Sequence, residues 1–281
     1  MSGWIMKIYT LIENEKQKNT GFLAEQGLSL YFEHGGNRVL FDTGASDDFV
    51  YNATLLGIDL HKIDICIISD AYFTQIGGLK DFFRINSKAK VYMKKAVRGD
   101  YYVRQGNKKE QSGGINDAFI EKYSHRLLFF NNHIEVTEGL TLSSVKKFRR
   151  LPYYTSLLLE KRGSDFISDE LDHELYVAIK QSDGVIVLTG CAHHGIINIL
   201  MSAQEDFGPV KGIVGGVHLN GVGKHNIMKE PDFEISTIAK YLENNNIKKV
   251  FTGHCTGKKP LDKLMLMSRT KRMYAGDILD I

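Results

Sequence analysis

Apolar and polar residues alternate over Leu28–Glu33 and again over Leu175–Lys180. Each run leads through a glycine-containing turn, Gly35-Gly36 or Ser182-Asp183-Gly184, into a β-branched run that ends in Thr-Gly: Val39 to Gly44, and Val185 to Gly190. Period-two alternation around such a turn predicts a β-hairpin. Each hairpin is followed by a helix-like segment and a further apolar strand. In the first half these are Asp48–Leu56 and Ile63–Ser69. In the second they are Ile196–Phe207, where Ile196, Ile199, Leu200, Ala203 and Phe207 share one helical face, and Val210–Gly215. Two related β-hairpin–α–β halves predict two sheets packed face to face with helices outside, an α/β four-layer αβ/βα sandwich spanning 1–281 as one domain. Another helix is predicted to start at Pro231 and to bury Ile235, Ile238, Ala239 and Leu242, with Asn244-Asn245-Asn246 ending it. Lys248–Thr252 reads as the next strand, and Met273–Leu279 as the one that closes the sheet. Residues 94–126, with Gly106, Gly113 and Gly114 among many polar residues, read as an irregular insertion over the site. Leu151–Asp172 is also expected to be irregular, and is acidic.

The chain has 281 residues, 43% hydrophobic and 25% charged, which fits a soluble protein with a sizeable core. No apolar run approaches the ~18 residues of a membrane span, so no membrane partner is expected. Met1–Lys7 lacks the order of a signal peptide, and Met6 reads as an alternative start at the first strand. The three cysteines, Cys66, Cys191 and Cys255, are odd in number and far apart, as in a reducing, cytoplasmic compartment. A formal net charge of +3 is too small to imply nucleic acid, which is not an expected partner. Lys88–Lys109 nevertheless gathers Lys88, Lys90, Lys94, Lys95, Arg98, Arg104, Lys108 and Lys109 against one acid, Asp100, with tyrosines interleaved. A solvated face is the first reading of such a run, and a surface attracting a small anionic ligand the second. A homo-oligomer stays open.

Chemistry-bearing residues gather in loops that follow apolar strands, where folds of this kind place functional groups. These loops are Ser69-Asp70, Gly190-Cys191-Ala192-His193-His194-Gly195, Gly215-Gly216-Val217-His218-Leu219 and Gly253-His254-Cys255-Thr256-Gly257. Together with Asp42-Thr43-Gly44 and the strand-to-loop run Ile63–Leu79, they resemble the metallo-β-lactamase fold. The last three loops are similar to the Gly-Cys-Ser-His-Ala-Gly, Gly-Gly-Phe-His-Leu and Cys-His-Cys-Thr-Gly signatures of its dihydropteroate-synthase-like branch, linked to ribofuranosylaminobenzene phosphate. The likeness runs from Met6 to Ile281. It implies that His193 and His254 are metal ligands and that His218 lies at the site as an acid, base or substrate contact.

The departures carry as much weight. Where the superfamily has His-x-His-x-Asp-His, this chain has Asp70, Tyr72, Thr74 and Gln75, and where relatives have Glu-His-Gly it has Glu25-Gln26-Gly27. A two-metal hydrolase needs a full donor set around ions ~3.5–4 Å apart. Asp70, His193 and His254 can hold one zinc, or iron or manganese, with an open position. No second metal is expected, because Thr74 and Gln75 replace its Asp and His. Gln26, Tyr72, Gln75, Cys191 and His194 are candidate substrate contacts, although Cys191 and Cys255 read first as small buried residues. Asp42 is read as orienting a ligand His from behind, or as capping the helix at Asp47-Asp48. Lys224 and the Lys88–Lys109 run would attract an anionic substrate. The expectations are a mononuclear metal-dependent hydrolase or lyase, or a non-catalytic descendant that binds a small molecule or protein; a nucleic-acid enzyme ranks last.

Overall fold

A computed structural model describes residues 6–221 and 232–281, so the expected helix start at Pro231 and the cation of Lys224 lie outside the described residues. The strands in chain order are β1 (Lys7–Ile12), β2 (Ser29–His34), β3 (Asn37–Phe41), β4 (Ile65–Ile67), β5 (Lys90–Lys94), β6 (Asp100–Gln105), β7 (Lys108–Gly113), β8 (Leu127–Phe130), β9 (His133–Thr137), β10 (Leu140–Ser144), β11 (Leu158–Arg162), β12 (Asp165–Ser168), β13 (Leu175–Gln181), β14 (Gly184–Thr189), β15 (Val210–Gly215), β16 (Lys249–Thr252), β17 (Thr270–Arg272) and β18 (Ile278–Asp280). The helices are α1 (Asp48–Leu55), α2 (Phe73–Ile76), α3 (Leu79–Ile85), α4 (Asp117–Tyr123), α5 (Ile196–Phe207), α6 (Asp232–Asn244) and α7 (Lys258–Met267). No helix among the described residues is long and apolar enough to cross a membrane.

Two seven-stranded sheets carry the fold, in the orders β18-β1-β2-β3-β4-β5-β8 and β17-β16-β15-β14-β13-β10-β9. In each, an antiparallel hairpin, β2-β3 or β13-β14, is followed by a helix and a parallel strand, β4 or β15. The internal echo of the sequence is therefore a structural repeat. Side chains alternate between two apolar layers, as a strand covered on both faces requires. Leu30, Phe32, Val39 and Phe41 point at Val177, Ile179, Ile186 and Leu188 in the seam between the sheets. Tyr31 and Leu40 face the layer under α1 and α3, whereas Tyr176, Ala178, Val185 and Val187 face α5, α6 and α7. That order is αβ/βα, as the periodicity predicts.

Three expectations need correction. The insertion at 94–126 is not irregular: it holds the hairpin β6-β7 and helix α4. The hairpin turns at Gly106-Asn107, with Gly106 at φ 61°, the left-handed region glycine adopts freely. The stretch after Leu151 supplies β11 and β12, which join that hairpin in a third sheet, β12-β11-β6-β7. These strands are polar because much of their surface faces solvent, and their pairing spans over fifty residues, so neither segment alone signals a sheet. Finally, Met273–Leu279 is not one closing strand. β17 extends the second sheet beside β16, and the chain then crosses so that β18 pairs with β1 of the first.

Gly190, just past β14, marks the tightest approach of the two halves. A Cβ there would lie 1.9 Å from Ser69 Oγ and 3.1 Å from Asp42 Oδ2, and Ser69 Oγ is itself tied to Asp42 at 2.7 Å. Gly190→Ala is expected to lower unfolding free energy by about 2 kcal/mol through overpacking, read as a lower urea midpoint at unchanged slope. A midpoint equal to wild type would mean that the two loops part without cost.

Candidate metal centre

The site is assembled where β3, β4, β14, β15 and β16 end. Asp42, at φ 57°, turns its carboxylate onto Ser69 and accepts both the Ser69 N–H and hydroxyl at 2.7 Å. It therefore neither orients a histidine nor caps α1, whose N-cap residue Asp47 makes no side-chain cap bond either. Its role is to fix the backbone immediately before Asp70. Burial, together with the nearby Asp70 carboxylate, holds Asp42 well above the usual carboxylate range.

Asp70 is fully buried. Its Oδ1 accepts the Tyr72 N–H at 2.8 Å, whereas Oδ2 has no hydrogen-bond partner and lies 3.9 Å from His193 Nε2. Burial raises its pKa to about 7. His193 sits in the turn between β14 and α5, and neither ring nitrogen has a partner. Its ring lies 4.8 Å from Tyr72 and 4.6 Å from His218. Burial and the surrounding imidazoles push its pKa well down, which keeps the ring neutral and its lone pair free for a ligand. His218, at φ 48°, stacks on Tyr154 at 4.1 Å; its Nε2 donates to the Gly221 carbonyl at 3.1 Å and its Nδ1 is unpartnered. Four of the eight buried side-chain atoms without a partner among the described residues thus belong to Asp70, His193 and His218. Such clustering of unmet polar atoms is uncommon outside functional sites.

His254 is placed differently. Its Nδ1 donates to Asn14 Oδ1 at 2.7 Å, and its Nε2 meets Gln75 Nε2 at 3.1 Å and Cys191 Sγ at 3.3 Å. Gln75 also reaches Cys191 Sγ at 3.2 Å, and its carbonyl accepts the Thr74 hydroxyl at 2.5 Å. The donor atoms that approach one another within 4.8 Å are instead Asp70, Cys191 and His193, and a second set, Cys191, His218 and Cys255. Cys191 is thus drawn into the donor cluster, and His254 stands beside it. Burial opposes ionisation of Cys255, but the Cys191 thiol and the His254 and His218 imidazoles carry its pKa well below the usual thiol range; burial holds Cys191 well above.

Several supporting residues were not singled out from the sequence. Glu174, just before β13, accepts the backbone N–H groups of His193 and His194 at 2.5 and 2.9 Å and pairs with His194 Nδ1 at 2.6 Å. Asp169 accepts the Tyr72 hydroxyl at 2.7 Å and His173 Nε2 at 3.0 Å, and His173 Nδ1 accepts the Ala71 N–H at 3.2 Å. Glu13 and Asn14 follow β1 and hold the main chain and ring of His254. The available signal was a charged or amide residue at the margin of an apolar strand, as in His173-Glu174-Leu175 and Ile12-Glu13-Asn14.

A pocket of about 330 Å³ opens over these groups. Cys191, His193, His218, His254 and Cys255 line it, with Gln26 and Tyr72 at the side and Gln105, Glu110, Gln111 and Ser112 of the β6-β7 hairpin above. His194 does not line it, because Glu174 holds its ring elsewhere. Among the described lining residues there is no lysine or arginine, so none of the Lys88–Lys109 cations lines the pocket.

The chain is similar to known proteins. The chain is 28% identical over 293 residues to the 7,8-dihydropterin-6-methyl-4-(β-D-ribofuranosyl)-aminobenzene-5′-phosphate synthase of Methanocaldococcus jannaschii, covering 98% of this chain and 96% of that protein. It superposes with a TM-score of 0.81 on a solved metal-dependent hydrolase of the β-lactamase superfamily, at 27% identity and over 98% of this chain and 99% of the other. A metallo-β-lactamase-fold protein from Bacillus subtilis, YhfI, matches at 10% identity and a TM-score of 0.58, over 99% and 100% of the two chains, which speaks to fold alone. No family model matches the chain. It has the metallo-β-lactamase fold. Within that fold, the loop ends that carry Asp70, His193, His218 and His254 converge as the sequence reading requires.

Glu13 makes stability at this edge depend on pH. Burial lifts its pKa from 4.5 to about 7, against the hydrogen bonds it accepts from the His254, Glu15 and Asn14 backbone. The folded state therefore holds a proton that the unfolded chain releases, so the contribution is complete below about pH 4.5 and disappears as pH rises through about 7. Between pH 5 and 7.5, wild type is expected to lose up to roughly 3 kcal/mol relative to Glu13→Gln. Denaturant titrations of both proteins across that range check it, and parallel stability curves would contradict it.

Proposed function

We propose that the protein is a metal-dependent hydrolase of the metallo-β-lactamase fold built around a single ion. The observation that carries this reading is the convergence of Asp70 Oδ2 and the His193 ring, buried and without partners, upon Cys191. A carboxylate, an imidazole and a thiolate are a sufficient set for one ion with an open position, and the sulfur favours zinc over harder metals. When bound, such an ion would polarise a carbonyl or phosphoryl oxygen of the substrate. The chain's own groups do the rest. Tyr72, anchored by Asp169, packs beside His193 and keeps water from one side of it. His218, held in plane by Tyr154 and the Gly221 carbonyl, has Nδ1 left to exchange a proton with a ligand. The amides of Gln26, Gln105 and Gln111 offer hydrogen bonds to a small polar substrate. If that substrate is anionic, its charge would be met by the ion and His218, since the described lining carries no other cation.

The similar proteins, one named as a synthase and one as a hydrolase, support an enzyme of this fold. A second reading, a binding protein without turnover, is favoured by one observation: Thr74 and Gln75, where the resemblance puts the Asp and His of a second ion, are bonded to each other, and the Gln75 amide already satisfies His254 and Cys191.

Elemental mass spectrometry on protein purified without chelator tests the proposal. Wild type should carry about one zinc per chain. His193→Ala and Cys191→Ser should lose it, whereas His254→Ala should retain it. The double change Thr74→Asp/Gln75→His should raise the content to about two. Metal-free wild type would end the hydrolase reading and leave the binding one, and loss of metal in His254→Ala with retention in Cys191→Ser would replace Cys191 by His254 in the ligand set.

A further inference from the structure

A second cavity, of about 490 Å³, shares no lining residue with the metal pocket. It opens at the ends of β5 and β8, parallel neighbours whose carboxyl ends are where sheets of this kind commonly receive ligands. Lys94, Lys95, Asn131, Asn132, Ser144 and His194 line it.

Lys94 is the unusual member. The residue is only 7% exposed. Its ammonium donates to Ser144 Oγ and stands 5.7 Å from the centre of the Phe130 ring, and no carboxylate among the described residues lies within ion-pair distance. Neither acid on the cavity wall forms an ion pair with the ammonium, and Asp172 favours it only from beyond contact. Asp172 is exposed and outside that distance, and the Glu174 carboxylate is already committed to His193 and His194. Ser144 is committed as well, donating to the carbonyls of Asn131 and Asn132 at 2.8 Å. An ammonium has three donors, and one is used here. A nearly buried cation with no carboxylate in contact is costly to keep, and an anion that enters the cavity would lower that cost.

We infer that this cavity takes a small oxyanion, a phosphate or carboxylate group, on the ammonium of Lys94. The exposed Lys95 and the side-chain amides of Asn131 and Asn132 stand at its mouth to meet the remaining oxygens, and charge-assisted bonds of this kind are the strong ones. The site also touches the metal loop. His194 lines the cavity and shares the Glu174 carboxylate with the backbone N–H of His193, so an occupant is one residue away from the proposed metal ligand. The anion site does not depend on the metal being present.

Calorimetric titration of the full chain with inorganic phosphate and with citrate, at constant ionic strength in chloride, tests the inference and separates the two oxyanion sources. Saturable binding of at least one of them is expected in wild type, with affinity reduced roughly tenfold or more in Lys94→Met and kept in Lys94→Arg. Lys94→Met without ligand should melt no lower than wild type, since it removes an unpaired buried charge; Lys94→Gln serves if Lys94→Met does not fold. His193→Ala should still bind. No saturable heat with either anion, equal affinity in Lys94→Met and wild type, or binding lost in His193→Ala but kept in Lys94→Met would each overturn the assignment, the last by placing the anion at the metal centre.

Discussion

Everything at this sheet edge hangs from Ser69. Its N–H and hydroxyl are taken by Asp42 at the end of β3, and its carbonyl accepts the Leu175 N–H at 2.8 Å from the start of β13. Its side chain lies against Gly190 at the end of β14. One residue thus adds directional bonds between the two sheets to apolar contact, which is non-directional. The functional groups are its immediate neighbours along three chain segments: Asp70 follows Ser69, Glu174 precedes Leu175, and Cys191 follows Gly190. Because the seam is set by directional bonds between buried groups, the relative positions of those three residues follow from it.

This explains which parts of the molecule could be read from the sequence. The β-hairpin–α–β halves are legible because each strand is covered on both faces, so that Leu30, Val39, Val177 and Ile186 stand out with their apolar neighbours, and α5 shows its stripe at helical spacing. The third sheet is not legible. β6 and β11 carry Arg104, Lys161 and Arg162 beside their buried tyrosine and leucines, and what makes them strands is a pairing of Tyr101 with Glu160 that no local pattern encodes. In the site, Asp70, His193, His218 and His254 were found because each follows a strand end. Glu13, Asn14, Glu174 and His173 also stand at strand margins, but they act by holding other residues, and the sequence gives no register between a holder and what it holds. His194 shares the loop of His193, yet consecutive residues of a turn point in different directions, and Glu174 decides which way.

Thr74, Gln75, Cys191 and His254 form a unit. Thr74 donates to Gln75, Gln75 meets both His254 and Cys191, and Asn14 fixes the other side of His254. A lone Gln among unmatched histidines would leave buried polar atoms exposed to the penalty of an unmet hydrogen bond. Here each of these groups has a partner, so the neutral residues at 74 and 75 are accommodated by a hydrogen-bonded network and leave no damaged remnant. The contrast with Asp70 Oδ2 and the His193 ring, a few ångströms away and unsatisfied, divides the site into a closed half and an open half.

The electrostatics sharpen that division. Glu13, Asp42 and Asp70 are all buried at one edge, and burial raises the pKa of each. Asp42 and Glu13 are compensated by backbone and hydroxyl donors. Asp70 has the Tyr72 N–H on one oxygen and nothing on the other, and the described lining of the pocket contains no lysine or arginine that could serve. Burial raises the pKa of that carboxylate to about 7, and a cation at its free oxygen would favour the ionised form. The neutral His193 ring beside it offers a lone pair to the same point and no charge. A carboxylate short of a cation and an imidazole short of an acid have one requirement in common, and the single metal ion of the proposed function, with the Cys191 sulfur within reach, would satisfy both at once.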